Sequence, residues 1–153
     1  MFLENYYSTS GNKITFTRQQ GSDFAKQIAD DFNPLHDIKA KRFCVPGDLL
    51  FSLVLANAGL SQEMSFTFSG MVSDGIALHF PREINENSNV VDDNQKEYLQ
   101  VSVSGERTQN SKTIEALTRA YVEFSGHTFP HILVGLMQES QVMINPTCPM
   151  VMY

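Results

Sequence analysis

"GDLLFSLVLANAG", residues 47 to 59, decides the architecture. Leu49, Leu50, Phe51, Leu53, Val54 and Leu55 leave almost no polar face, and a helix that is apolar nearly all round has to be buried. Both ends are marked. Asp48 stands where an acid complements a helix dipole, and Gly59 stands where a glycine ends a helix. The apolar run from Leu49 to Leu60 is too short to span a bilayer and is interrupted by Asn57. The cover for this helix must therefore be a sheet.

The strands for that sheet follow. In "MSFTFS" Met64, Phe66 and Phe68 alternate with polar residues, and in "IALHF" Ile76, Leu78 and Phe80 share one parity. Gly70, Asp74 and Gly75 supply the turn between them. "YLQVSVS" alternates Leu99, Val101 and Val103 with Gln100, Ser102 and Ser104. The polar stretch between these runs, "PREINENSNVVDDNQKE", reads as a long exposed loop. "TIEALTRAYVEF" puts Ile114, Ala116, Ala120, Val122 and Phe124 on one parity and is expected as a strand, although "IEALTRA" also fits a helix. After Gly126 the pattern changes: Ile132, Leu133, Leu136 and Met137 have helical spacing and "QVMIN" suggests a short strand.

Upstream, "KITFTR" reads as a short strand. Thr17 and Gln20 have capping-box spacing, which starts a helix over about residues 18–30 with Phe24 and Ile28 on one face. Gly21 weakens its first turn. Pro34 disfavours helical geometry at Asn33, so the helix ends just before that pair. One buried helix and several alternating strands make an α+β layout, the helix cradled by an antiparallel sheet.

The chain has 153 residues, of which 42% are hydrophobic and 18% charged, which fits a single domain over residues 1–153. Its net charge of −6 opposes binding to nucleic acid or to anionic membrane surfaces. Cys44 and Cys148 belong to no CxxC-like pattern and are expected as small buried hydrophobes. His127 and His131 are four apart, but Pro130 lies between them and no third ligand is near, so no metal site is expected. The start, "MFLENYYSTS", has neither a basic nor an apolar leader region, which predicts a cytoplasmic protein. The end, "PMVMY", is apolar for a solvated terminus and suggests a fragment of a longer protein or an end covered by a partner.

Chemistry concentrates in "DDFNPLHD", residues 30 to 37. Asp31 and His36 lie five apart across an Asn-Pro turn, which can bring a carboxylate and an imidazole to one pocket and one water. Asn33 can bond backbone groups and hold the turn. Gly47 offers an N–H at the positive end of the buried helix, where it can polarise a carbonyl. Asp-x-Asn-Pro is also ordinary helix-ending chemistry. Lys41 and Arg42 form a basic cluster that is either a phosphate contact or a solvated turn. His79 lies on the parity opposite Leu78 and Phe80 and reads as an exposed or cross-strand residue.

"FAKQIADDFNPLHD", followed by "RF" and "PGDLLFSL", resembles the signature of the MaoC-like, (R)-specific enoyl-CoA hydratases. That resemblance implies a hot-dog fold with a buried central helix, and usually a homodimer. It implies catalytic roles for Asp31 and His36, an oxyanion N–H from Gly47, and a turn shaped by Asn33 and Pro34. The substrate would be a trans-2-enoyl thioester, with CoA or an acyl-carrier arm arriving as part of it and no separate cofactor. The chain as a whole also resembles an uncharacterised proteobacterial family of longer proteins with no assigned activity. That fits a hot-dog domain followed by a C-terminal helical extension over about residues 127–153.

Several positions depart from the hydratase pattern. The intervals from His36 to Phe43 and on to Gly47 are short, Pro46 replaces a His, Asp48 replaces a Met, and Asp37 follows His36 directly. A carboxylate beside an oxyanion hole repels the charge to be stabilised, so Asp48 is expected to turn outwards as a cap or to pair with Lys41 or Arg42. An inward Asp48 favours the alternatives instead: an acyl-thioester-binding or assembly module without turnover, or a hot-dog thioesterase that uses Asp48.

Overall fold

The structure is a computed structural model and describes residues 2–128 and 150–152. A 3-10 turn (Phe2–Tyr6) leads into the hairpin β1 (Ser8–Ser10) and β2 (Lys13–Thr15). Helix α1 (Arg18–Asp23) follows and continues as a π-helical turn, Phe24–Ile28. Its start is the expected capping box: the Gln20 N–H donates to Thr17 Oγ1 at 3.1 Å, and the Thr17 N–H donates to Gln20 Oε1 at 3.0 Å. A second 3-10 turn, Pro34–His36, precedes the long helix α2, Gly47–Ala58. The remaining elements are β3 (Leu60–Phe68), β4 (Leu78–His79), β5 (Asn87–Asp92), β6 (Glu97–Thr108), α3 (Ser111–Thr128) and β7 (Met150–Met152).

The strands form one antiparallel sheet in the order β1-β2-β4-β5-β6-β3-β7. Helix α2 connects β2, near one end, to β3, near the other, and lies against the sheet. Leu49, Val54 and Leu55 of α2 are fully buried with Leu78, Val90, Leu99 and Val101 of the strands in one hydrophobic core. Each such side chain stabilises the fold by about 1.5–3 kcal/mol relative to exposure. On the sheet side the Phe51 ring meets Phe66 edge-on at 4.9 Å, and Tyr121 of α3 packs on the same ring at 4.9 Å. The helix ends at Gly59, whose φ of +91° is one that residues with a Cβ avoid.

Two expectations are overturned. "TIEALTRAYVEF" is not a strand but the body of α3. Its buried positions are Ile114, Thr118 and Val122, while Ala116, Ala120 and Phe124, on the same parity as Ile114, are exposed. That is a spacing of four, and the helix is started by Asn110, whose Oδ1 accepts the Thr113 N–H at 3.0 Å. The polar stretch after Pro81 is not all loop. It contains β5, which pairs with β6 in the register Val90↔Leu99. Only Val90 is fully buried; Asn87 and Asn89 face solvent, as an antiparallel strand with one wet face allows. A tight turn closes this hairpin, with Asp92 Oδ1 accepting from the Asn94 and Lys96 N–H groups.

Glycine's lack of a side chain explains one oddity of α1. A Cβ on Gly21 would lie 2.8 Å from the Phe43 ring, so Gly21 trades helix propensity for close packing of the segment that follows His36. The expected elements at residues 129–149, and Cys148, lie outside the described residues.

Candidate functional site

Asp31 is aimed by three local devices. The π-helical turn widens the end of the first helix, and the Asp31 N–H reaches back to the Ala25 carbonyl at 2.7 Å. Asp30 reverses the chain with φ +52°, a left-handed conformation that aspartate tolerates better than most residues. Asp31 Oδ1 then accepts the Asn33 N–H at 2.9 Å, which leaves Oδ2 as its outward oxygen. Asn33 repeats the arrangement one step on, accepting the Leu35 N–H at 3.1 Å, and Pro34 opens the 3-10 turn that carries His36.

The imidazole is fixed from its other side. His36 Nδ1 lies 2.6 Å from the Cys44 carbonyl oxygen. A carbonyl only accepts, so Nδ1 carries the proton and the neutral ring keeps its lone pair on Nε2. Nε2 faces Asp31 Oδ2 at 3.7 Å, with the two side chains 12% and 16% exposed. That separation exceeds a direct hydrogen bond and suits two groups sharing one reacting oxygen at about 2.8 Å from each. Asp37 does not orient the ring; it is exposed, with its carboxylate turned towards the Lys39 N–H.

The short path from His36 to Gly47 is held by Arg18. Its guanidinium donates to the carbonyls of Ile38 and Ala40 at 2.9 and 2.8 Å, bonds Asp74 at 3.1 Å, and lies over Phe43 at 5.4 Å. Lys41 and Arg42 are exposed, and among the described residues neither makes an ion pair. Gly47 opens α2 with no side-chain cap, and a Cβ there would sit 3.1 Å from the Phe68 ring.

Asp48 is the main departure from expectation. It neither turns out as a cap nor pairs with Lys41 or Arg42. Its carboxyl accepts a hydrogen bond from Ser125 of α3 and lies close enough to Asp31 for the two charges to repel. Burial, more than any other cause, pushes it up from 3.8 to about 6; the Ser125 hydroxyl works against that and the Asp31 charge adds to it. Tyr121, next to Phe51, is raised by its own burial and then by the Asp48 charge. Helix α3 is pressed onto this corner at Gly126, where a Cβ would lie 2.7 Å from the Ala29 carbonyl carbon. Ala29 is two residues before Asp31, so one close approach joins α3 to the turn.

Asp31, His36 and Asp48 therefore come together beside the start of α2, whereas Lys41 and Arg42 remain at the surface. Tyr121 and Ser125 belong to the same corner and are not among the residues singled out from sequence. Their signal is the helical spacing of Ile114, Thr118, Tyr121, Val122 and Ser125, which the strand reading hides. Two surface clefts, one lined by Asn87, Asn89, Gln100 and Ser102 and one by Lys26, Gln27, Asp30, Arg119 and Glu123, do not include Asp31, His36 or Gly47.

Other candidates do not form sites. The Cys44 thiol is pushed up to about 11, chiefly by burial, and stays protonated. His79 pairs with Asp93 at 2.8 Å in an exposed cluster with Lys13. Among the described residues no group of His, Cys, Asp and Glu could hold a metal ion, and no helix is long and apolar enough to cross a membrane. No curated protein and no solved structure matches the chain. A family model, "Protein of unknown function (DUF3581)", matches residues 1–153, and the chain belongs to that family.

Proposed function

We propose that this is a hot-dog protein of MaoC-like type that acts on acyl thioesters, with the hydration of a trans-2-enoyl thioester as the reaction its geometry supports best. The carrying observation is the 3.7 Å approach of His36 Nε2 to Asp31 Oδ2, with Nδ1 anchored on Cys44. An antiparallel sheet lying on one buried helix between its second and third strands supports the fold reading.

On this reading His36 Nε2 takes a proton from the shared water as its oxygen adds to the β-carbon. Asp31 holds the water's second hydrogen and stabilises the imidazolium. The electron pair of the double bond moves towards the thioester carbonyl, which the Gly47 N–H polarises. The proton returns from Nε2 to the α-carbon, so H and OH are added and both side chains end as they began. No metal or redox group takes part. CoA or an acyl-carrier arm belongs to the substrate, and the assembly is a homodimer.

The inward carboxylate of Asp48 favours a second reading, in which the site binds acyl thioesters without hydrating them or cleaves them with Asp48 as the base. One experiment sorts these. Purified chain is given short and medium trans-2-enoyl-CoAs while the enoyl absorbance and free thiol are followed together. Loss of absorbance that drops about 100-fold or more in Asp31→Asn and His36→Gln supports hydration. Thiol release that needs Asp48 supports the thioesterase. No turnover by the folded wild type removes the hydratase.

A further inference from the structure

Helix α1 grips the segment that follows His36 at two points. Arg18, its first residue, is set in place by the Thr17–Gln20 capping box. One guanidinium nitrogen donates to the carbonyls of both Ile38 and Ala40, at 2.9 and 2.8 Å, and another donates to Asp74 at 3.1 Å. Gly21, three residues on and so on the same face of the helix, leaves room for the Phe43 ring, which a Cβ would approach to 2.8 Å. The Arg18 guanidinium lies 5.4 Å from the centre of that same ring. The residues held in this way sit inside one closed loop. At its ends the Cys44 N–H donates to the Leu35 carbonyl at 2.9 Å, and the Cys44 carbonyl takes the proton of His36 Nδ1 at 2.6 Å. Cys44 presents that oxygen to the ring only while residues 37–43 keep their path. The carbonyl selects a tautomer as well as a direction, because a proton on Nδ1 leaves the lone pair on Nε2, facing Asp31 Oδ2 at 3.7 Å. A slack loop would free Nδ1 from its acceptor and admit the form protonated on Nε2, which cannot take a proton from water there.

Resting on the hydratase reading for its catalytic consequence, we infer that Arg18 is a positioning residue for His36: through Ile38, Ala40 and Phe43 it keeps the Cys44 carbonyl on Nδ1 and so keeps the lone pair on Nε2. The role needs a guanidinium. Arginine presents its donors in a fixed planar fork and has a flat face to lie on an aromatic ring. The lysine ammonium is a compact charge on a flexible stem and has neither. Gly21 serves the same grip by letting Phe43 come close, which accounts for a glycine in the first turn of a helix.

The test uses the full chain labelled with nitrogen-15, as wild type, Arg18→Lys and Gly21→Ala, with His36→Gln to assign the ring signals. Arg107→Lys is the control, since Arg107 on β6 likewise donates to a carbonyl, that of Ile84 at 3.4 Å, and pairs with an acid, Glu83 at 3.5 Å. In wild type the neutral His36 ring shows one tautomer, protonated on Nδ1. Arg18→Lys admits the form protonated on Nε2, and hydrogen exchange at the Cys44 N–H speeds up about tenfold or more. Gly21→Ala, which gains helix propensity, displaces Phe43 and moves the tautomer the same way. Arg107→Lys matches wild type in both readouts. A merely structural arginine would lower stability and leave the tautomer alone. With trans-2-enoyl-CoA, kcat falls about tenfold or more in Arg18→Lys while KM stays within about twofold, because the group that is lost takes a proton rather than binds substrate. The role of Arg18 is overturned if wild-type His36 is not protonated on Nδ1, if folded Arg18→Lys keeps the wild-type tautomer, or if Arg107→Lys shifts it equally. Should Arg18→Lys fail to fold, an unmoved tautomer in Gly21→Ala overturns the role in its place. A tautomer that shifts as expected in a chain that hydrates no enoyl-CoA upholds the grip on His36 and overturns the hydratase reading alone.

Discussion

The turn from Asp30 to Cys44 and the helix α3 meet at one corner but are held there differently. The turn is fastened from within: Asp31 on Asn33, Asn33 on Leu35, His36 on Cys44, each bond spanning eight residues or fewer. Helix α3 reaches the corner from about ninety residues along the chain, through packing: Tyr121 on Phe51, Val122 in the core, Gly126 on Ala29. The carboxylate between them, Asp48, has its acidity set mainly by burial, with neighbours on α3 and in the turn adjusting it. Local bonds thus place the acid/base pair, and distant packing tunes the group beside it.

Breaking the packed side should have the largest effect. Gly126→Val puts a branched side chain where even a Cβ would meet the Ala29 backbone. We expect a loss of about 3 kcal/mol or more in urea unfolding, since backbone has little room to yield. In a variant that still folds, the Asp48 titration followed by NMR should move back towards ordinary aspartate as α3 lifts. Wild-type stability would show that this contact does not hold the corner.

Asp48→Asn comes next, with the opposite sign. The folded protein holds the Asp48 proton up to about pH 6, while the unfolded chain releases it near 3.8. Folding is therefore favoured by this group below the lower value, and that contribution is lost as pH rises through the upper one. The loss is at most roughly 3 kcal/mol. The variant should be more stable than wild type at neutral pH and about equal to it below the lower midpoint, measured as unfolding free energy across pH. A difference independent of pH would mean that burial does not oppose the charge.

What is legible in the sequence follows the same division. Thr17 with Gln20, Asn33 with Pro34, and Gly59 state their conformations within a few residues, and the structure has each of them. So does the apolar run of α2, because no exposed helix can carry it. Helix α3 reads as a strand because Ala116, Ala120 and Phe124 extend the parity of Ile114 and Val122 on a face that is wet in the structure. Only the buried set, with Thr118 bonding back to the Ile114 carbonyl at 2.6 Å, has the helical period. β5 reads as loop because a strand with one solvent face and one fully buried valine is mostly polar. The surroundings of Asp48 are equally non-local: nothing within four residues of it says that Ser125 will arrive from a distant helix.

Asn33→Ala tests the local side. It removes the oxygen that accepts the Leu35 N–H and should cost about 1 kcal/mol, comparable to other caps of this kind. His36 would lose its register, so the change should also loosen the bond from Nδ1 to Cys44, seen in the imidazole nitrogen shifts. The Asp48 midpoint should stay near wild type, since α3 is untouched. A large movement of that midpoint would mean that the turn and the helix are not separately held.

Ser125→Ala is the most specific probe of the corner. The lost hydrogen bond favours the charged form of Asp48, so its removal should raise the midpoint further. A hydrogen bond to a charged group contributes about 1.5–3 kcal/mol, but only while that group is ionised, so the destabilisation should appear above the midpoint and fade below it. Alanine's better helix propensity returns roughly 0.5 kcal/mol at every pH. The expected outcome is thus near-neutral stability in acid and a modest loss at neutral pH, opposite in sign to Asp48→Asn. If the midpoint falls instead, Ser125 does not donate to Asp48, and the helix touches this carboxylate only through packing.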